Sequence, residues 1–160
     1  MTRRGETAAG LAEIRLGLQY LDAVGLRATY PYHLAGLVES LILAGELETA
    51  LAEARRGLSM CETGLDRFYE AELLRLEGEC QRRLDQPAAA ESGFRRAIEL
   101  ARGQSARFFA IRAANSLASL LVEQGRGDLA RRELVDVLAE SGSELNQSDV
   151  PALRGLGATA

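Results

Sequence analysis

The sequence predicts an all-α protein, a right-handed solenoid of antiparallel helix pairs about three and a half repeats long. Three observations lead there. The first is composition: the chain has 27 Leu and 26 Ala but only six Val and four Ile, and β-branched residues lose χ1 freedom in helices and favour strands. The second is spacing. Leu34, Leu37, Val38 and Leu41 stand at i, i+3, i+4 and i+7, the stripe of a helix with one buried face. The third is self-similarity: an offset of 40 residues lays Ala50 on Ala90, Ala54 on Phe94, Gly57 on Ala97 and Leu58 on Ile98. With 160 residues, 47% hydrophobic and 26% charged, the chain is long enough to bury one core without disulfides or metal.

The same offset runs back to Gly10, Ile14, Gly17 and Leu18, and forward to Ala130, Leu134, Val137 and Leu138. It divides the chain into a half repeat over 5–25 and repeats over 28–64, 66–104 and 105–142. Helices are expected over 32–44, 47–61, 67–84, 87–103, 105–124 and 128–141. Pro31 and Pro87 suit first turns, where the missing N–H costs nothing. Gly5, Gly45, Asp85 and Gly125 recur at the same step, each where a left-handed residue would end one helix before the next begins. Ser148 to Pro151 reads as an N-cap followed by Pro, opening a short last helix over 149–157. Gly78, Ala118, Ala50, Ala90 and Ala130 are the expected points of close helix approach, because only small residues let two helices come together there.

Charge and cysteine content remove whole classes of function. All 19 basic residues are Arg, so a Schiff-base lysine, a P-loop lysine and a lysine general base are impossible. A net charge of −4 argues against affinity drawn from nucleic-acid phosphates. Cys61, Cys80 and the single histidine, His33, assemble neither a zinc site nor a disulfide framework, and both thiols are expected to be reduced and buried. No run of about 18 apolar residues crosses a membrane and no signal segment opens the chain, which reads as cytoplasmic. No catalytic constellation, cofactor site or metal site stands out, and the expectation is a non-enzyme.

Gly78, Ala90, Phe94 and Ala97, with a turn near Asp85, resemble the small, Ala, aromatic, Ala signature of the tetratricopeptide repeat. The likeness covers residues 5 to 142. It departs from the family in its period of 40 rather than 34 and in Leu34, Leu74 and Ala114, which stand where the family has a Trp-type residue. Longer-period repeats of this kind resemble the helical-repeat regions of large bacterial ATPase- or cyclase-linked signalling and transcription regulators. The segments from Gly10 to Arg15 and from Arg67 to Leu73 carry that second likeness. It implies a regulatory scaffold that binds a protein or peptide, and a chain that is part of something longer.

The repeat register puts Tyr32 and Glu39 on the concave side of one repeat, Glu72, Arg75, Glu79, Arg82 and Arg83 on the next, and Arg112, Asn115 and Ser119 on the last. Arginines there can take a partner's carboxylates in bidentate fashion while Asn115 reads a peptide backbone. The competing reading pairs Glu72 with Arg75 and Glu79 with Arg83 along one solvated helix face. The Lys, Arg and Asn pattern of chaperone-tail-binding members is absent: Ala35, Glu39 and Leu76 occupy its places. Two rival functions remain: a metabolite sensor using Arg75, Arg112 and Tyr32, and self-association through Leu11, Ile14, Leu18 and Leu21 of the first helix. The doublets Arg55–Arg56 and Arg95–Arg96 read as an outer solvated face. Tyr30 to His33 reads as a helix start packed on its neighbour, and Phe108–Phe109 as inter-repeat core.

Overall fold

The computed structural model describes residues 2–26, 29–64 and 67–140; the helix expected over 149–157 lies outside them. Among the described residues the chain is all helical: α1 (Thr2–Ala23), α2 (Tyr30–Ala44), α3 (Leu47–Glu62), α4 (Glu70–Arg83), α5 (Pro87–Gly103), α6 (Arg107–Glu123) and α7 (Gly127–Glu140). Each helix packs on the next, and α4 also packs on α2 and on α6.

The helix ends repeat more tightly than the helices do. Gly25, Gly45, Gly64, Asp85, Ser105 and Gly125 all have left-handed backbone, with φ of 69°, 82°, 91°, 57°, 56° and 74°. At Gly45, Asp85 and Gly125 the next residue's N–H returns to the carbonyl of Leu41, Gln81 or Leu121 at 3.0, 2.9 and 2.8 Å. Those bonds satisfy carbonyls that the helix would otherwise orphan, and they turn the chain back within two or three residues. Gly5 departs from the pattern by lying inside α1.

Packing follows from residue size at fixed places. Ala50, Ala90, Ala118 and Ala130 are fully buried. At Gly78 a Cβ would stand 2.6 Å from Cε1 of Phe94, and at Gly57 it would stand 2.8 Å from Cδ1 of Leu73, so glycine leaves the room those large side chains fill. Two apolar clusters run through the molecule and α4 feeds both: Leu73, Leu76 and Cys80 join the one around α2 and α3, while Ala71 and Leu74 join the one around α5, α6 and α7. No helix is long and apolar enough to cross a membrane among the described residues.

Two expectations about individual side chains need correction. Phe109 is buried but Phe108 is 64% exposed, because adjacent residues at the start of α6 point to different faces. Tyr30 and Pro31 are buried as the helix-start reading expects, and Tyr32, half exposed, packs edge to face on Tyr69 at 5.1 Å. Leu11 and Leu18 of α1 are buried with Ile14 and Leu21 packed beside them, so the face expected to be open is covered by the chain itself. Leu16 and Tyr20 of α1, and Val24 just after it, are exposed instead.

Candidate functional site

Helices α2, α4 and α6 present one common face, and its centre is a ladder of ion pairs. Arg75 Nε and Nη2 donate to the two carboxylate oxygens of Glu72 at 3.0 and 2.8 Å, a fork that fits a carboxylate in one geometry only. Its remaining Nη1 donates to Ser116 Oγ of α6 at 3.3 Å, and that hydroxyl donates to Glu79 Oε1 at 2.8 Å. Arg82 continues the ladder, bonding Glu79 through Nε at 3.0 Å and reaching Glu123 of α6. Arg83 leaves the row and donates to the backbone carbonyl of Ile42 at 3.1 Å, tying α4 to the end of α2.

Arg75 and Glu72 are buried, at 7% and 5% exposure. Burial is the largest single influence and opposes the guanidinium charge, but the bonds to Glu72 and the charges of Glu72, Glu79 and Glu39 together outweigh it and hold the Arg75 pKa above the ordinary value. The pair is thus a fixed internal strut. Ser119 donates to the Asn115 backbone carbonyl at 3.0 Å, while the buried Oδ1 of Asn115 has no hydrogen-bond partner among the described residues. The predicted residues are therefore brought together on one face, but their polar groups are engaged mainly with one another.

The open part of that face lies where α2, α4 and α6 begin. A cleft of about 750 Å³ is lined there by Tyr32, His33, Glu39, Phe68, Tyr69, Glu72, Arg107, Phe108, Phe109 and Arg112, among others. Its rings form a chain of tilted and edge-to-face contacts: Tyr32 to Tyr69 at 5.1 Å, Tyr69 to Phe109 at 5.3 Å, Phe68 to Phe109 at 5.4 Å and Phe108 to Phe109 at 5.7 Å. Phe109 is the buried hub, while Tyr32, Phe68 and Phe108 are 51%, 54% and 64% exposed. On the wall, Arg112 Nη2 meets Glu39 at 2.8 Å and Glu72 at 3.1 Å, and its guanidinium lies 5.6 Å from the centre of the Phe108 ring.

Sequence reasoning placed Tyr32, Glu39, Glu72 and Arg112 on this face but missed Phe68, Tyr69, Phe108 and Arg107. A signal was present: aromatic residues precede or open each of the three helices, at Tyr32, Phe68–Tyr69 and Phe108–Phe109. Position within the repeat draws attention to the middle of a helix, and these residues stand at its edge.

Elsewhere several charges tie helices together. Arg55 bonds Glu77 at 2.9 Å and Arg95 bonds Glu133 at 2.6 Å, each joining one helix to another. Burial, with Glu79 and Glu77 adding to it, pushes the Cys80 thiol up to about 11, which leaves it protonated and unreactive at neutral pH. No cluster of three or more metal-ligating side chains occurs among the described residues. Comparison of the chain with protein-family models, with curated proteins and with solved structures finds no match in any of the three.

Proposed function

We propose that the chain is a tetratricopeptide-like right-handed α-solenoid acting as a peptide- or protein-binding module, with the aromatic cleft as its binding site. The solenoid reading draws support from the direct packing of α2 on α4 and α4 on α6, the contacts expected when the first helices of successive repeats form an inner layer, and from the recurring left-handed helix ends. Binding rather than catalysis fits the wall of the cleft, where Glu39 and Glu72 are held by Arg112. Carboxylates so engaged are poorly placed as general acids or bases.

The observation that carries the reading is the half exposure of Tyr32, Phe68 and Phe108 around one concavity. Single exposed apolar residues are ordinary, but a contiguous aromatic rim on a cleft marks a surface that is covered in use. Rings are also the side chains that dominate recognition when buried against a partner.

The test is selection of a random displayed peptide library on the immobilised chain, with counter-selection on Phe108→Ser. Enrichment of peptides that the variant fails to hold is the expected outcome. Absence of any peptide that distinguishes the two proteins overturns the reading. The volume of about 750 Å³ also suits a small molecule, and a rise of several degrees in Tm with phosphorylated or dicarboxylic metabolites would favour that alternative.

A further inference from the structure

We infer that the occupant of the cleft is a peptide segment with an aromatic side chain beside a carboxylate, the ring entering between Tyr32, Phe68 and Phe108 and the carboxylate meeting Arg107. This rests on the peptide-binding reading above and adds the chemistry of the ligand.

The ring follows from geometry. The rim already packs its aromatics tilted or edge to face at centroid distances of 5.1 to 5.7 Å, within the range that aromatic pairs favour. A further ring entering between half-exposed neighbours continues that arrangement.

The carboxylate follows from charge accounting. Glu39 and Glu72 are the acidic groups of the wall, and Arg112 holds both while Arg75 holds Glu72 a second time. Arg75, behind the wall, also lies 4.0 Å from Glu79, which Arg82 holds at 2.9 Å, so Glu39, Glu72 and Glu79 are matched by Arg112, Arg75 and Arg82 without drawing on Arg107. Arg107 also lines the cleft, is exposed, and has no ion pair among the described residues. A lysine or arginine ligand would meet carboxylates already taken and a guanidinium of its own sign. It would also compete for ring faces with Arg112, which lies against Phe108. An acidic ligand instead supplies the anion that Arg107 lacks, through charge-assisted hydrogen bonds.

The experiment takes the peptides that bind the full chain but not Phe108→Ser and reads the charge of the residues flanking their aromatic side chain. The best peptide is then resynthesised with its acid changed to the amide, and both forms are titrated by fluorescence anisotropy against the wild type and Arg107→Gln. Acidic flanks are expected, with the amide peptide binding the wild type about tenfold more weakly and Arg107→Gln almost equally well. Neutral or basic flanks, or an equal loss on both proteins, overturns the acidic chemistry while peptide binding stands. If no peptide separates the wild type from Phe108→Ser, peptide binding itself falls and takes this inference with it.

Discussion

Arg112 of α6 donates to Glu39 of α2 at 2.8 Å although 73 residues separate them in the chain. Glu72 of α4 lies 3.1 Å from the same guanidinium nitrogen, so one side chain fastens three helices along the face that holds the cleft. Glu39 is half exposed and Arg112 about one-third exposed, which limits what their pair contributes to about 1 kcal/mol or less.

The buried strut beneath it should behave differently. Arg75→Met removes the fork and leaves buried Glu72 with Arg112 alone, at 3.1 Å; leaving a buried charge with no partner costs about 3–5 kcal/mol, and this loss should approach that range from below. Glu39→Gln is expected to cost about 1 kcal/mol or less. Replacing both members, Glu72→Leu with Arg75→Met, should recover most of the loss, since two apolar groups leave no buried charge. Urea denaturation of the three variants checks this, and equal losses for Arg75→Met and Glu39→Gln would contradict it.

Gly78→Ala tests the small-residue rule. In an open helix the change gains about 1 kcal/mol from propensity. Here the new methyl would stand 2.6 Å from Phe94 Cε1, and overpacking of that kind costs about 1–3 kcal/mol. Loss is expected at Gly78, and gain at Gly17 of α1, where a Cβ meets nothing within 4 Å. Pairing Gly78→Ala with Phe94→Leu should give less than the sum of the two losses in a double-mutant cycle, because both act on the same contact.

The left-handed turns make a third comparison. Asp85 stands at φ 57° where its counterparts one repeat away, Gly45 and Gly125, are glycine. Asp tolerates this region better than most side chains but not as well as glycine. Asp85→Gly should therefore raise the urea midpoint, by about 0.5–1 kcal/mol in stability, and Gly125→Ala should lower it by about 1 kcal/mol. A destabilised Asp85→Gly would mean that its side chain does more than tolerate the turn.

Glu91 supplies a pH dependence. Hydrogen bonds from Arg126, working against burial and joined by those from Arg95, hold its carboxyl below the usual range. A depressed carboxyl pKa contributes stability that is present above the unfolded value, about 4.3, and is lost as pH falls through the folded one. The gap in Tm between wild type and Glu91→Gln should thus be open at neutral pH and close as acidification passes below the unfolded carboxyl value. A gap unchanged by acidification would show that Glu91 contributes through packing alone.

The sequence by itself determined the helices, their pairing by size and the forty-residue step. Those follow from local spacing and from small residues at Ala50, Ala90 and Ala130, all fully buried, and each is a property of a short stretch of chain. It also determined that Gly45, Asp85 and Gly125 end helices, since so few residue types accept that backbone. Only the tertiary structure decided how the side chains of the charged face are paired. Spacing along α4 already offered the Glu72–Arg75 pair as one of two readings, but the burial of that pair and the further bond from Arg75 to Ser116, 41 residues away, are contained in no spacing along one helix. The cleft arises in the same way: Tyr32, Phe68 and Phe108 lie on three separate helix starts, and a concavity exists only once packing has brought those starts together.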